Sequence, residues 1–91
     1  MPDKVHCAHI LVKSESDAKA VLERLKKGEK FATIAKSVSR CPSGKNGGNL
    51  GTFTRGKMVK EFDNAAFALQ KGEVSGIVKT QFGYHIIKRL E

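Results

Sequence analysis

His9, His85 and Cys41 are the side chains in this sequence whose types suit chemistry. An imidazole can serve as general acid or base, as a metal ligand or as a buried hydrogen-bonding link. His9 sits in an apolar, β-branched run and His85 in another near the end of the sequence. His6 falls on the opposite strand face from His9 and reads as structural or exposed. Cys41 opens the stretch Cys-Pro-Ser-Gly-Lys-Asn-Gly-Gly, and three roles fit it. As a nucleophile it needs a base within hydrogen-bond reach, which His9 or His85 would supply. As a zinc ligand it would join Cys7, His9 and His85, although no Cys-x-x-Cys or short His spacing supports such a site. As a polar neighbour of a bound peptide it needs no partner. Each residue also has a plain structural reading, as a hydrogen-bonded core histidine or an inert half-buried thiol.

The glycine-rich stretch Ser43–Gly48 invites comparison with a phosphate cradle. It lacks Gly-x-x-x-x-Gly-Lys-Ser/Thr and leads into a strand instead of a helix N-terminus, so it reads as a flexible loop. A second group of residues is apolar: Leu50, Phe53, Met58, Phe62 and Phe82 stand at or near loop edges and helix starts. Met58 and Phe82 occupy turn-like segments, where a large apolar side chain gains little unless something covers it. An apolar pocket rimmed by loops is the binding site such residues suggest.

The elements that must position these groups follow from hydropathy spacing. Val5–Val12 is a buried strand. Ser14-Glu-Ser-Asp17 supplies a cap and first-turn acids for a helix whose stripe is Ala18, Val21, Leu22 and Leu25, ended by Lys26, Lys27 and Gly28. Phe31, Ile34, Ala35 and Val38 mark a shorter helix, stopped by Pro42 and the glycines after it. Leu50–Phe53 is a strand and Thr54–Lys57 a turn. Val59, Phe62, Ala65, Ala66 and Leu69 form a third helical stripe, closed by Lys71-Gly72. Gly76–Lys79 and Tyr84–Leu90 then form a hairpin around a Thr80–Gly83 turn. The order β-α-α-β-α-β-β predicts one α+β domain over residues 1–91, built on a mostly antiparallel sheet. Pairing of the first and last strands at its centre would bring His9 and His85 together.

Composition narrows the classes. With 91 residues, 40% hydrophobic and 29% charged, the chain suits an ordinary globular domain. No apolar run approaches the ~20 residues of a membrane span, and Met-Pro-Asp-Lys-Val-His shows no export signal, so a cytoplasmic location is expected. Two cysteines suit reduced thiols better than a disulfide scaffold. Lys and Arg outnumber Asp and Glu by 17 to 9, a net charge of +8. The lysines run from Lys4 to Lys88 without forming a block. This permits weak docking to acidic proteins or anionic surfaces. One Tyr and no Trp give little aromatic interleaving, and no specific nucleic-acid partner is expected.

A resemblance covers essentially the whole chain. His9-Ile-Leu-Val-Lys13, Phe31-Ala-Thr-Ile-Ala35, Ser39-Arg-Cys-Pro-Ser-Gly-Lys45, Gly47-Gly-Asn-Leu-Gly51 and Gly56-Lys-Met-Val-Lys-Glu-Phe62 occur in order. Ala66-Phe-Ala-Leu69, Gly72-Glu-Val-Ser75 and Thr80-Gln-Phe-Gly-Tyr-His-Ile-Ile87 follow them. In these motifs the chain resembles a single-domain parvulin, a peptidyl-prolyl cis/trans isomerase of the prokaryotic or archaeal type. The resemblance implies a four-stranded antiparallel sheet flanked by helices (an FKBP-like arrangement), acting as a monomer on proline-containing polypeptides in protein folding, without cofactor or metal. It assigns His9 and His85 to the paired histidines, Cys41 to the Cys/Asp position and Thr80 to the hydroxyl linked to that network. Leu50, Met58, Phe62 and Phe82 match the pocket that holds the substrate proline. Phosphate-selective members carry a long basic loop after the first strand. Here Lys13-Ser-Glu-Ser-Asp17 is short and partly acidic, so phospho-specificity is not expected.

Overall fold

The structure is a computed structural model that describes residues 4–91; Met1–Asp3, part of the stretch in which no export signal is read, lie outside the described residues. The elements are β1 (Lys4–Val12), α1 (Glu15–Lys26), α2 (Phe31–Val38), a 3-10 helix (Pro42–Asn46), β2 (Asn49–Thr54), α3 (Lys60–Ala68), β3 (Val78–Thr80) and β4 (Gly83–Arg89). They form a four-stranded sheet in the order β2-β1-β4-β3, antiparallel at every pairing. The expected α+β fold is therefore present, with β1 and β4 side by side at its centre.

Side-chain alternation along β1 and β4 explains why both strands read as continuous apolar runs. On one face Ala8, Ile10, Val12 and Ile86 pack with Ala18 and Val21 of α1 and with Phe31, Ile34 and Ala35 of α2. On the other, Val5, Cys7 and Ile87 pack with Phe53 of β2 and Phe62, Ala66 and Phe67 of α3. Cross-strand partners share a face, and His9 stands opposite Ile87 while Leu11 stands opposite His85. The two histidines are thus diagonal neighbours on the α3 face, within side-chain reach of each other.

The caps behave as expected at α1, where Ser14 Oγ accepts from the Asp17 N–H at 3.1 Å and Gly28 takes φ +94° just beyond the helix. The stretch after α2 does not. In place of a flexible loop there is a 3-10 helix with Pro42 in its first turn and Gly47 as a left-handed cap. Its flanks continue the β1 ladder beyond the reach of β2. Arg40 N–H donates to the Leu11 carbonyl at 2.7 Å, Leu11 N–H to Ser39 Oγ at 3.1 Å and His9 N–H to the Gly48 carbonyl at 2.9 Å. Gly48 has φ +83°, and a Cβ there would run into the His9 carbonyl. Glycine is needed because the backbone comes this close.

At the other edge, Thr80 pairs with Gly83 around a Gln81-Phe82 tip. Thr80, expected within a turn, is the last residue of β3; it shares a face with Val78 and His85 and is buried. β3 starts two residues later than expected because Ser75 bonds to β4 partly through its side chain: Ile87 N–H donates to Ser75 Oγ at 2.9 Å. Substituting Gly48→Ala is expected to destabilise the domain by at least ~2 kcal/mol, lowering Tm by roughly 10 °C in calorimetry, since strain and clash act together.

Candidate active site

Six parts of the fold meet above the α3 face of the sheet. β1 and β4 supply His9, Leu11 and His85, and the start of the 3-10 segment supplies Arg40, Cys41 and Pro42. β2 supplies Leu50, the approach to α3 and its first turn supply Met58, Val59 and Phe62, and the β3–β4 tip supplies Phe82. Together they line a cavity of about 380 Å³. Every site residue expected from the sequence lines it except Thr80, which stands behind His85. Leu11, Pro42 and Val59, which the sequence marks only as strand, helix-stop and helix-stripe residues, join them, as does Arg40, whose spacing carries no signal. Phe53, also named among the apolar candidates, lies on the same face but outside the cavity, packed in the apolar cluster beside Phe62 and Phe67. Phe82 is 61% exposed, a phenyl ring at the cavity lip with little of the domain's own structure to cover it.

Beneath the cavity runs a short hydrogen-bond chain. His9 Nδ1 and His85 Nδ1 are 3.0 Å apart, His85 Nε2 and Thr80 Oγ1 2.7 Å, and Phe82 N–H donates to Thr80 Oγ1 at 3.1 Å. Two proton arrangements fit these distances, and each leaves one hydrogen without an acceptor. In one, Thr80 accepts from Phe82 and gives its O–H to His85 Nε2, His85 donates from Nδ1 to His9 Nδ1, and the hydrogen left over is on His9 Nε2, a buried atom with no partner among the described residues. In the reverse, His9 donates to His85 and His85 to Thr80, and the Thr80 hydroxyl hydrogen is left over. Phe62 closes over both rings edge-on, with centroids 5.4 Å from His9 and 5.3 Å from His85. His9 and His85 are only 5% and 4% exposed.

Burial sets the charge state. Loss of hydration, and secondarily the neighbouring His85, lowers the His9 pKa to about 4; desolvation also lowers that of His85. Both rings are therefore neutral at pH 7, and the Nδ1–Nδ1 hydrogen bond needs at least one of them, the acceptor, to be so. Cys41 is not part of the chain. Its Sγ accepts from the Ser43 hydroxyl at 3.2 Å and its N–H donates to Ser39 Oγ at 3.4 Å, while His9 and His85 spend their Nδ1 atoms on each other. Cys7 lies in the apolar cluster outside the cavity, and burial pushes its thiol up to about 11. Among the described residues no three His, Cys, Asp or Glu side chains gather as a metal site would need.

Residues 9–91 match the rotamase family described as the PPIC-type PPIase domain. The chain belongs to this family of peptidyl-prolyl isomerases. Foldase protein PrsA of Geobacillus kaustophilus is 57% identical over 86 residues, which are 93% of this chain and 31% of that protein. The chain thus spans about a third of the length of the foldases it matches. The solution structure of NmPin, the parvuline of Nitrosopumilus maritimus, is similar at TM-score 0.89 and 54% identity, covering 100% of this chain and 99% of that one. Pin from the archaeon Cenarcheaum symbiosum has TM-score 0.86 at 60% identity, covering 100% and 95%. The likeness extends to the parvulin arrangement of sheet and helices.

The buried imidazoles make this parvulin-type domain sensitive to acid. Unfolded, His9 titrates near 6.5, and folded, near 4, so between these values the unfolded chain binds more protons. Its contribution to stability is complete above about pH 6.5 and is lost as pH falls towards 4, on the order of 3 kcal/mol. Calorimetry from pH 7 to pH 4 is expected to show a Tm fall that is smaller in His9→Asn, and proton NMR to show His9 still neutral at pH 5.

Proposed function

We propose that the domain accelerates rotation about Xaa–Pro bonds in unphosphorylated polypeptide segments by non-covalent means, with the proline ring seated among Leu50, Met58, Phe62 and Phe82. The observation that carries this reading is a cavity with apolar walls over a neutral imidazole pair joined Nδ1 to Nδ1. Rotation about a peptide bond meets a barrier of about 18–20 kcal/mol, because the planar amide is stabilised by charge-separated resonance. The twisted transition state has lost that resonance, and its carbonyl is less dipolar. An apolar, water-poor cavity disfavours the planar ground state more than the twisted form, which is the differential binding that raises a rate.

The remaining residues suit supporting roles. In this reading the Thr80–His85–His9 chain holds the cavity floor, and Phe82, tied by its N–H to Thr80, is held as the lip. Cys41 offers a weakly polar group beside the amide. Rotation breaks no σ-bond, so it needs no nucleophile, and the imidazoles are engaged with each other instead of activating the thiol. Only Lys13 and Ser14 separate β1 from α1, which leaves no room for a loop of clustered arginines to hold a phosphoryl group. Relatives named as foldases support protein chains in the course of folding as the substrates.

Exchange NMR on Ala-Pro peptides tests the reading; unchanged interconversion with folded protein would refute it. Phe82→Ala is expected to lower kcat/KM about tenfold, the worth of one phenyl contact, while Tm moves by no more than a few degrees because the ring is exposed. Cys41→Asp is expected to keep substantial activity and Cys41→Ala to lose part of it. Abolition by the aspartate would instead reveal a nucleophile.

A further inference from the structure

We infer that Arg40 is a specificity residue, which favours substrates carrying a carboxylate side chain next to the proline; this rests on the isomerase reading above. Arg40 is fixed at the cavity edge by its N–H bond to the Leu11 carbonyl at 2.7 Å. Its side chain is exposed. Among the described residues the ion pairs are Arg24–Glu29, Lys26–Glu23 and Lys71–Glu91, and Arg40 joins none of them. The guanidinium therefore stands uncompensated at the mouth of an otherwise apolar hollow.

Arg40 also lines a second hollow of about 260 Å³, formed where β1 ends against α1 and α2. It is the residue common to both, so a peptide that leaves the proline cavity on this side passes over its side chain. Val12, Val21 and Val38 give the second hollow apolar walls, and Val38 is 36% exposed there. Its charged residues are Lys13, Asp17, Arg24 and Arg40. Glu29 holds Arg24 through three hydrogen bonds; against Lys13 and Arg40 stands the single acid Asp17, so the lining keeps a net positive charge at which Arg40 is the residue shared with the proline cavity. A bound peptide strips water from the guanidinium. A carboxylate replaces that hydration with paired hydrogen bonds, a neutral side chain does so poorly, and an ammonium is repelled. The valine walls suit the methylenes of glutamate.

Peptides with Glu, Gln or Lys immediately before proline, and a second set with them immediately after, test this by exchange NMR at low salt. The wild type is expected to favour Glu over Lys about tenfold in kcat/KM in one of the two sets, with the ratio falling as salt rises. Arg40→Gln is expected to shrink that ratio to about twofold or less. Lys36→Gln, which removes the same charge from an exposed position on α2, is expected to retain it, which separates Arg40 from the general basicity of the domain. A wild-type ratio within twofold in both sets, or a ratio unchanged in Arg40→Gln, would overturn the inference. Chemical-shift titration with the same peptides compares affinities without turnover. Failure of the isomerase reading (no peptide interconverts faster) is thereby distinguished from failure of this one (Glu and Lys peptides bind alike).

Discussion

The bond between His9 and His85 is the constraint on which the rest of the site depends. Two imidazoles placed in an apolar layer would each strand polar atoms, at a cost of about 1–3 kcal/mol per unsatisfied group. Facing Nδ1 to Nδ1 at 3.0 Å, they satisfy those two atoms, with one ring the donor and the other a neutral acceptor. Thr80 extends the pair through His85 Nε2. Its own orientation is set by the N–H of Phe82, so the hairpin tip and the cavity floor are linked by three hydrogen bonds. Phe62 then covers both rings. The same burial that keeps the pair uncharged leaves a water-poor surface above it.

The two faces of the sheet divide the work. Under α1 and α2 the buried residues are aliphatic or small apart from Phe31, with half-buried Tyr84 packed beside them. Under α3 the aromatic residues Phe53, Phe62 and Phe67 replace them, and the layer continues into the histidines and the cavity. β1 serves both faces at once, which is why almost none of it is exposed. It is also held on both sides along its length: β4 pairs along one edge, while β2 and then the Ser39–Gly48 segment occupy the other.

Much of this was legible in the residues. The strand and helix stripes follow from period, and alternation puts His9 on the face opposite His6. Parity did not reveal which part of that face stays open, because that depends on where α3 comes to rest. The 3-10 helix was hidden for a related reason: glycines and a proline read as a loop, whereas their backbone groups are used by Leu11 and His9, distant in sequence. Thr80 passed for a turn residue since a hairpin places strand end and turn side by side. Arg40 carried no periodic signal at all; its position comes from a single backbone bond to β1. Tertiary pairing decided each of these, and local pattern reports only local preference.

The central pairing of β1 with β4 also shapes how this catalyst comes into being. His9 and His85 are 76 residues apart, so no early fragment of the chain can hold a finished floor, however well its helices form. A segment emerging from the ribosome remains inert until β4 slots beside β1, the kind of distant contact that slows folding. Competence thus arrives in one late step, when the domain closes its own longest loop.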